Sequence, residues 1–504
     1  MNMKHKSRQK AEIKPPSSEL LDMEQAIAVL KTTRPTFYRW LRAGKLKGSK
    51  IGRQWRFQRE DIDRFLKGQE PQIDLPADIT PLLQALHQRL QELGVQEQEP
   101  QENEVARAVR AIIQLAAKMR ASDLHIEPQP DGKATLRYRL NGALQSIVEI
   151  DLRLLPAIIQ HWKTLAACNV RETARPQEGR IRAEVAGVGR LELRVMLLPT
   201  ALGESLSAVL LDPAVARLDL QQLGYSQGVL ERLNRRLNHW GTIVFTGPSG
   251  CGKTSALYAC LHKIAASPDK TKIITVEYEP EYLLAGTTQV PVRTELGMNM
   301  GSVLRSVLRS GPDVIMVGEI PDAETLALAL QAGMTGHRVL ISLHTSEAAT
   351  ALQRMMDAGA NSMTMTDSTK LIIGQRLVRT LCPKCMISAA PSGTCLNQTR
   401  TLARLSGLAW DDLPTGFREP AGCKECNHTG FVGRTVIAEA LEMTPRIATA
   451  VARGASGADL RAIAVSEGMV ALAADGLRCA AEGKTSLAEI IRTVGPIYGA
   501  EMNS

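Results

Sequence analysis

Gly247-Pro248-Ser249-Gly250-Cys251-Gly252-Lys253-Thr254 satisfies the spacing G-x-x-x-x-G-K-T. Glycines at these positions let backbone N–H groups curl around phosphate oxygens. The lysine reaches the β- and γ-phosphates, and the threonine hydroxyl ligates Mg²⁺. The predicted chemistry is therefore binding of a nucleoside triphosphate, with Lys253 on the phosphates and Thr254 on the metal. Downstream, Pro312-Asp313-Val314-Ile315-Met316-Val317-Gly318-Glu319 is an apolar run ending in an acid. Glu319 is placed to polarise an attacking water; its alternative is a surface glutamate after a core strand. His337 and His344 flank a further apolar run and are either sensors of the γ-phosphate or structural. A separate set, Cys382, Cys385, Cys423 and Cys426, forms two C-x-x-C pairs with 37 residues between them. Four thiolates suit a closed, tetrahedral Zn²⁺ site of structural type. The alternative is four free thiols, and Cys395 between the pairs reads as a bystander.

A phosphate-binding loop works between a strand and a helix. The apolar run 243–246 and the helical pattern 255–264 supply both. Apolar runs at 242–246, 272–276, 314–317 and 338–343 alternate with helical patterns, which predicts an α/β domain with a central sheet. Residues 104–215 mix a helix at 105–119 with strand patterns at 134–140 and 191–198. After Gly433 the pattern is mostly helical.

Composition excludes several classes. The hydrophobic fraction of 44% supports globular cores, and the aromatic share of 4% makes those cores largely aliphatic. No run approaches the ~18–20 apolar residues of a membrane-spanning helix. The charged opening MNMKHKSRQKAEIK lacks the apolar region of a secretory signal, so a cytoplasmic location is expected. Nine cysteines in that compartment point to metal rather than disulfides. Residues 1–68 carry 17 Lys and Arg against 7 Asp and Glu, while the whole chain is +9. The basic character thus belongs to the first domain, which suggests an acidic partner, nucleic acid foremost, or else a solvated basic surface.

That first domain reads as a helix at 23–30 capped by Asp22, a second helix at 35–43 with Pro35 in its first turn and Gly44 as its stop, a hairpin at 50–57, and a short helix at 61–66. Ala26, Leu30, Phe37, Trp40 and Leu41 are its expected core. Leu21–Ala26, Thr36–Arg42, Gly44–Leu46 and Ile51–Phe57 resemble an excisionase-like or MerR-like helix-turn-helix. By that resemblance Thr36, Tyr38, Arg39 and Arg42 face a DNA major groove. Lys50, Arg53 and Arg56 would meet phosphates. A protein-docking role for the same fold stands beside DNA binding.

Taken in order, 247–254, 313–319 and 335–345 resemble the motor ATPases of type II secretion and type IV pilus assembly. Ala121-Ser122-Asp123-Leu124-His125-Ile126-Glu127-Pro128 is similar to the ASDIHIEP signature of that family's preceding domain, and 176–180 and 193–195 match two more segments. The resemblance spans about residues 105–495. It implies a RecA-like core that hydrolyses ATP with Mg²⁺, a homo-hexameric ring, and force transmitted to inner-membrane secretion or pilus platform proteins. It implies a protein peripheral to the inner membrane. It also implies arginines from the smaller lobe that complete the site, with Arg180 and Arg194 in the matching positions; exposed salt-bridge formers are the alternative. The cysteine pairs match the family's tetracysteine module, followed here by Gly430-Phe431-Val432-Gly433-Arg434.

The sequence departs from the family where acids and arginines are usual. In Val276-Glu277-Tyr278-Glu279-Pro280, Glu277 matches as a catalytic acid but Tyr278 replaces an Asp. Val209 and Pro321 stand where Arg is usual, and Gly311 where Asp is usual. These losses lead us to expect slow or partner-dependent hydrolysis, with an inactive scaffold as an alternative. The expected organisation is a disordered basic tail (1–18), a helix-turn-helix (19–68), a linker (69–103) with one amphipathic helix near 82–93, an α+β lobe (104–215), and a RecA-like domain (216–500) with the tetracysteine module 382–426. The overall class is α/β. The expected function is a secretion or pilus motor, with a DNA-associated ATPase or regulator as the second reading.

Overall fold

The computed structural model of the 504-residue chain describes residues 20–42, 46, 48–51, 54–66, 75–95, 102–211, 218–268, 271–413 and 415–498. The tail 1–18, Gly44 and Arg53 lie outside the described residues, as do the side chains of Arg42 and Lys50. The chain divides into two compact units after Leu211.

The first unit begins with β1 (Leu20–Asp22), α1 (Met23–Val29), α2 (Arg34–Arg42), β2 (Ser49–Ile51), β3 (Gln54–Gln58) and α3 (Arg59–Leu66). The Asp22 carboxylate accepts the Gln25 N–H at 2.9 Å, and the Gln25 side chain accepts the Asp22 N–H at 2.8 Å. This reciprocal cap satisfies two N–H groups at the start of α1. Ala26, Phe37, Leu41, Leu46, Phe57 and Ile62 form a small core, with Phe37 edge-on to Phe57 at 5.1 Å. Trp40 is only half-buried, against Phe65. The expected hairpin supplies two strands of a three-stranded sheet, β1-β3-β2. Strand β1 escapes a periodicity search because three residues carry too little pattern.

Residues 69–103 are not simply a linker. They contain α4 (Thr80–Glu92), whose Leu82, Leu83, Leu86 and Leu90 are buried in the core of the following lobe together with Ile79. Burying five aliphatic side chains contributes on the order of 10 kcal/mol before entropy, too much for a free tether. The lobe continues with α5 (Glu104–Lys118), β4 (Asp123–Pro128), β5 (Lys133–Leu140), β6 (Ala143–Asp151), α6 (Leu155–Leu165), β7 (Gln177–Val185), β8 (Gly189–Thr200) and β9 (Gly203–Leu211). Its antiparallel sheet runs β6-β5-β4-β9-β8-β7. Alternation sends Leu124, Ile126, Leu136, Tyr138, Leu193, Val195, Leu206 and Ala208 into the core. The residues between them occupy the opposite face.

The second unit contains α7 (Gln227–Leu237), β10 (Gly241–Thr246), α8 (Lys253–Ala265), β11 (Ile273–Glu277), β12 (Thr287–Pro291), α9 (Met300–Leu308), β13 (Val314–Val317), α10 (Ala323–Met334), β14 (Arg338–Leu343), α11 (Ala348–Asp357), α12 (Ser362–Ser368) and β15 (Thr369–Leu381). An insertion with β16 (Ile387–Ser388), α13 (Gly393–Leu405) and β17 (Arg418–Glu419) follows. The chain returns as β18 (Phe431–Glu442) and closes with α14 (Pro445–Ala452), α15 (Gly457–Ser466), α16 (Leu472–Ala481) and α17 (Leu487–Tyr498). The seven-stranded sheet runs β12-β11-β13-β14-β10-β15-β18. Every pair is parallel except β15 with β18. Strand β18 extends the sheet through Glu442 before the helical end begins. Strands β10, β11 and β13 are buried along their whole length, as expected of a parallel sheet covered on both faces.

Candidate nucleotide-binding site

Parallel pairing puts the carboxyl ends of β10, β13 and β14 on one edge of the sheet, where ligands of open α/β sheets bind. Thr246 lies opposite Leu343 on β14, and Val317 opposite Ile341. The loop 247–254, Gly318-Glu319 and His344-Thr345 therefore leave the sheet side by side. Gly247 has φ +153°, and a Cβ there would stand 2.4 Å from Cys251 Sγ and 2.6 Å from the Gln375 carbonyl. Gly252, with φ +90°, is the N-cap of α8, and no side chain caps that helix. Its first N–H groups are thus left to an anion, whose charge the helix dipole favours.

Lys253 is buried at the head of α8. Its Nζ donates to the carbonyls of Gly247 at 2.9 Å and Pro248 at 3.0 Å, and stands 3.4 Å from His344 Nδ1. Burial lowers the Lys253 pKa. The His344 pKa is lowered as well, by burial first and by the Lys253 charge second. His344 Nε2 lies 3.9 Å from Glu319 Oε1; with a neutral imidazole this is a polar contact rather than an ion pair. Lys253, His344 and Glu319 thus form a continuous polar row. Thr345 holds this edge through its N–H to Thr246 Oγ1 at 3.1 Å and a hydroxyl contact of 2.7 Å. Ser342 Oγ donates to the Gly318 carbonyl at 2.5 Å.

Two expected catalytic residues are placed otherwise. His337 precedes β14, and its carbonyl accepts the Gly241 N–H at the start of β10. The six residues of β14 separate it from His344 by about 20 Å, and its Nδ1 lies 3.0 Å from the Ala332 carbonyl. It sits on the edge of the sheet opposite the phosphate loop, so it is not brought to the site. Glu277 is only 5% exposed. Its carboxylate accepts from Tyr258 Oη and Thr275 Oγ1, each at 2.6 Å, and from Gln289 Nε2 at 3.4 Å. It braces α8 and β12 against β11 rather than facing solvent. The nearby Tyr278 is exposed.

Sequence reasoning missed the contribution of β15. Gln375 Nε2 donates to the Cys251 carbonyl within the phosphate loop at 2.9 Å, and its Oε1 accepts from Tyr225 Oη at 2.5 Å. Arg376 donates to its neighbour's carbonyl, that of Gln375, at 2.8 Å and to the Ser346 carbonyl at 2.6 Å. The signal available in sequence was a Gln-Arg pair between the aliphatic runs 371–373 and 377–378.

In the first unit, Arg180 on β7 lies directly opposite Arg194 on β8, which lies opposite Val209 on β9, itself opposite Asp123 on β4. These residues form one row on the face away from the lobe core. Arg180 pairs with Glu192 at 3.0 Å, and Asp123 with Arg139 at 3.4 Å. Gly311 has φ +64°, a left-handed conformation that favours glycine where the family pattern has Asp.

The four cysteines Cys382, Cys385, Cys423 and Cys426 converge, with all Sγ atoms within 4.8 Å of one another. Separations are 3.9 Å for Cys382–Cys423, 3.8 Å for Cys385–Cys426 and 3.7 Å for Cys423–Cys426. A tetrahedral ion with Zn–S bonds of ~2.3 Å requires about 3.8 Å between sulfurs, whereas a disulfide requires ~2.05 Å. N–H groups of Gly422, Cys423 and Gly430 point at Cys385 and Cys426 sulfurs at 3.1–3.3 Å, which favours thiolates. The cluster is compatible with zinc, and Cys395 is not part of it. In the helix-turn-helix, Arg39 is exposed on α2, whereas Tyr38 and Thr36 are partly buried. Arg56 is held by Gln54 at 2.8 Å.

Comparison with known proteins adds the family. Residues 98–492 match the model described as Type II/IV secretion system protein, and residues 20–70 match a helix-turn-helix domain. The type II secretion system protein HxcR of Pseudomonas aeruginosa is 38% identical over 389 residues, covering 77% of this chain and 77% of that protein. The type IV pilus assembly ATPase PilB of Myxococcus xanthus is 32% identical over 441 residues, covering 87% of this chain and 76% of that protein. The solved structure of the ATPase DotB of Yersinia pseudotuberculosis has the same fold, with a TM-score of 0.57 at 16% identity, over 79% of this chain and 96% of that chain. Among the described residues, no helix is long and apolar enough to cross a membrane.

Proposed function

Because the chain belongs to the Type II/IV secretion system protein family, we propose that it is an ATP-hydrolysing motor subunit of a type II secretion or type IV pilus assembly system. The observation that carries this reading is the row Lys253–His344–Glu319 beside an uncapped helix start, all on one edge of a parallel sheet. In this reading the N–H groups of 247–254 and Lys253 take the phosphates of ATP. Thr254 would hold Mg²⁺, which when bound neutralises charge on the β- and γ-phosphates. Glu319 polarises the attacking water, and neutral His344 reports the γ-phosphate to the turn that follows it. Arg180 and Arg194 supply positive charge from the lobe. Six copies form a ring that works on inner-membrane platform proteins from the cytoplasmic side, and Cys382, Cys385, Cys423 and Cys426 would hold a Zn²⁺ that, when bound, would stiffen the insertion.

Val209 in the arginine row of the lobe and Tyr278 after Glu277 remove charges that the family pattern carries, so slow or partner-dependent turnover is expected. A second reading, a DNA-associated ATPase, is favoured by the helix-turn-helix match at residues 20–70 and by exposed Arg39 on α2. The test is steady-state ATPase activity of the full chain with and without a short DNA duplex, beside Lys253→Ala and Glu319→Gln. We expect Lys253→Ala to lose nucleotide binding. We expect Glu319→Gln to keep binding and lose about a hundredfold or more in turnover. Equal turnover by wild type and Glu319→Gln defeats the role of Glu319. Stimulation by DNA that falls with salt moves the reading to the second class.

A further inference from the structure

Strand β15 is the neighbour of the phosphate-loop strand, with Gly374 opposite Thr246. Its next two residues are polar in a strand otherwise rich in aliphatic side chains. Both are inaccessible: Gln375 is 0% exposed and Arg376 is 8% exposed. Adjacent strand residues point to opposite faces, and here the two faces carry different parts of the site. Gln375 projects toward α7 and α8. There its amide N–H is the link to the Cys251 carbonyl, and Tyr225 Oη fixes its other end. Arg376 projects toward the other face. There its guanidinium bonds the Ser346 carbonyl, two residues beyond His344, and lies 3.3 Å from where a Cβ on Gly247 would stand. The turn it holds continues into Glu347, the N-cap of α11, which is paired with Arg461 at 3.0 Å.

We propose that Gln375 and Arg376 are positioning residues for ATP hydrolysis with separable roles. Gln375 sets the curvature of the phosphate loop, and Arg376 fixes the His344–Glu347 turn against that loop. The proposal rests on the ATPase reading above. Gln375 acts through the loop: by holding the Cys251 carbonyl outward it leaves the loop N–H groups turned inward to phosphate. Arg376 has a longer reach. Any displacement of the turn that carries His344 must stretch its bond to Ser346, so it transmits the state of the γ-phosphate edge to α11.

The two roles predict opposite kinetic signatures. Gln375→Leu removes a buried donor and leaves a loop carbonyl unpaired, so the Kd for a fluorescent ATP analogue should rise about tenfold with kcat little changed. Arg376→Gln should leave that Kd within about twofold and lower kcat about 10- to 100-fold, the scale of a misplaced catalytic group. Arg376→Lys should recover part of the loss. Thermal melting of each full-length variant, with and without Mg·ATP, separates these effects from misfolding. A split between binding and turnover with folded variants supports the assignment. Parallel losses in Kd and kcat in both variants, or no loss in either, overturn it. If Gln375→Leu does not fold, Gln375→Glu, which keeps the size but cannot donate when ionised, carries the same prediction. Failure of wild type to bind the analogue, with Lys253→Ala indistinguishable from it, would reject the ATPase reading itself rather than this one.

Discussion

At the residue scale the site is governed by the proximity of Lys253 and His344. Burial disfavours a charged imidazole, and the Lys253 ammonium 3.4 Å from its Nδ1 acts in the same direction, so the His344 pKa falls below its ordinary value of about 6.5. The imidazole is then neutral at physiological pH and accepts at Nδ1 from the lysine. The sign follows from the direction of the shift. A histidine with a depressed folded-state pKa contributes stability that is present above its unfolded pKa and lost as pH falls through the folded value. Activity should follow, holding constant above about pH 6.5 and declining on the acid side. His344→Gln, which cannot gain a proton, should lose turnover at neutral pH and also lose that acid decline. A kcat profile from pH 5 to 8 on both proteins checks this, and an unchanged acid limb in the variant would assign the decline to another group. Glu319 and Glu277 show how environment separates two acids at neighbouring strand ends. The first is more than half exposed and beside His344, while the second is enclosed by three donors.

At the element scale, two devices tie the ends of the ATPase unit together. Glu439 on β18 is buried, and its carboxylate accepts the N–H of Ala348 at 2.6 Å and of Leu472 at 3.0 Å. It thereby sits at the starts of both α11 and α16. Burial, with Glu347 nearby, raises its pKa to about 7. A raised folded pKa means the folded state binds the proton more tightly, so this group's stabilisation is full below about pH 4.5 and is lost as pH rises through about 7. The melting temperature of wild type should therefore carry a downward slope between those limits that Glu439→Gln flattens; parallel curves would show that Glu439 does not titrate there. The second device is the cysteine cluster, which clamps the end of β15 to the start of β18. Protein purified without chelator should contain one zinc per chain by metal analysis. Its removal should destabilise the insertion, exposing Trp410, which now stacks on Phe417 at 5.7 Å, and so changing tryptophan fluorescence. Cys423→Ser should reproduce the change; absence of zinc would leave the cluster as four thiols.

At the scale of the whole molecule, each unit carries its own candidate residues. The arginine row of the lobe has Arg180 opposite Arg194 with Val209 continuing the row. If these arginines act on the γ-phosphate, the double variant Arg180→Ala/Arg194→Ala should bind ATP normally and turn over about a thousandfold more slowly. If Arg180 serves only its pairing with Glu192, turnover should change little. Measuring nucleotide binding and sedimentation in parallel separates loss of chemistry from loss of a ring. The helix-turn-helix has its own core, so deleting it should leave the basal ATPase rate unaltered while removing any response to duplex DNA.

The phosphate loop, the strand ending in Glu319, the two C-x-x-C pairs and the capped first helix could all be read from the chain itself. Most are local: a loop's glycines, a strand's apolar run, a helix's cap and the two cysteines of one C-x-x-C pair lie within about ten residues of one another, so sequence spacing is spatial spacing, and only the meeting of the two cysteine pairs across 37 residues depends on the fold. Asp22 and Gln25, for example, meet because three residues of helix bring them together. The rest depended on pairings between distant segments. His337 and His344 look equivalent in sequence because both flank an apolar run, but a strand has two ends, and only its direction beside β10 assigns His344 to the phosphate loop. Glu277 matches a motif, yet Tyr258 and Gln289 close around it from other elements. The amphipathic helix α4 reads as part of a linker until α5 covers its leucines. Gln375 and Arg376 lie more than a hundred residues beyond the loop they support, and nothing in their own neighbourhood announces that role. Local backbone chemistry is written in adjacent residues, whereas the register of a parallel sheet is set by crossover helices and by burial summed over the whole domain.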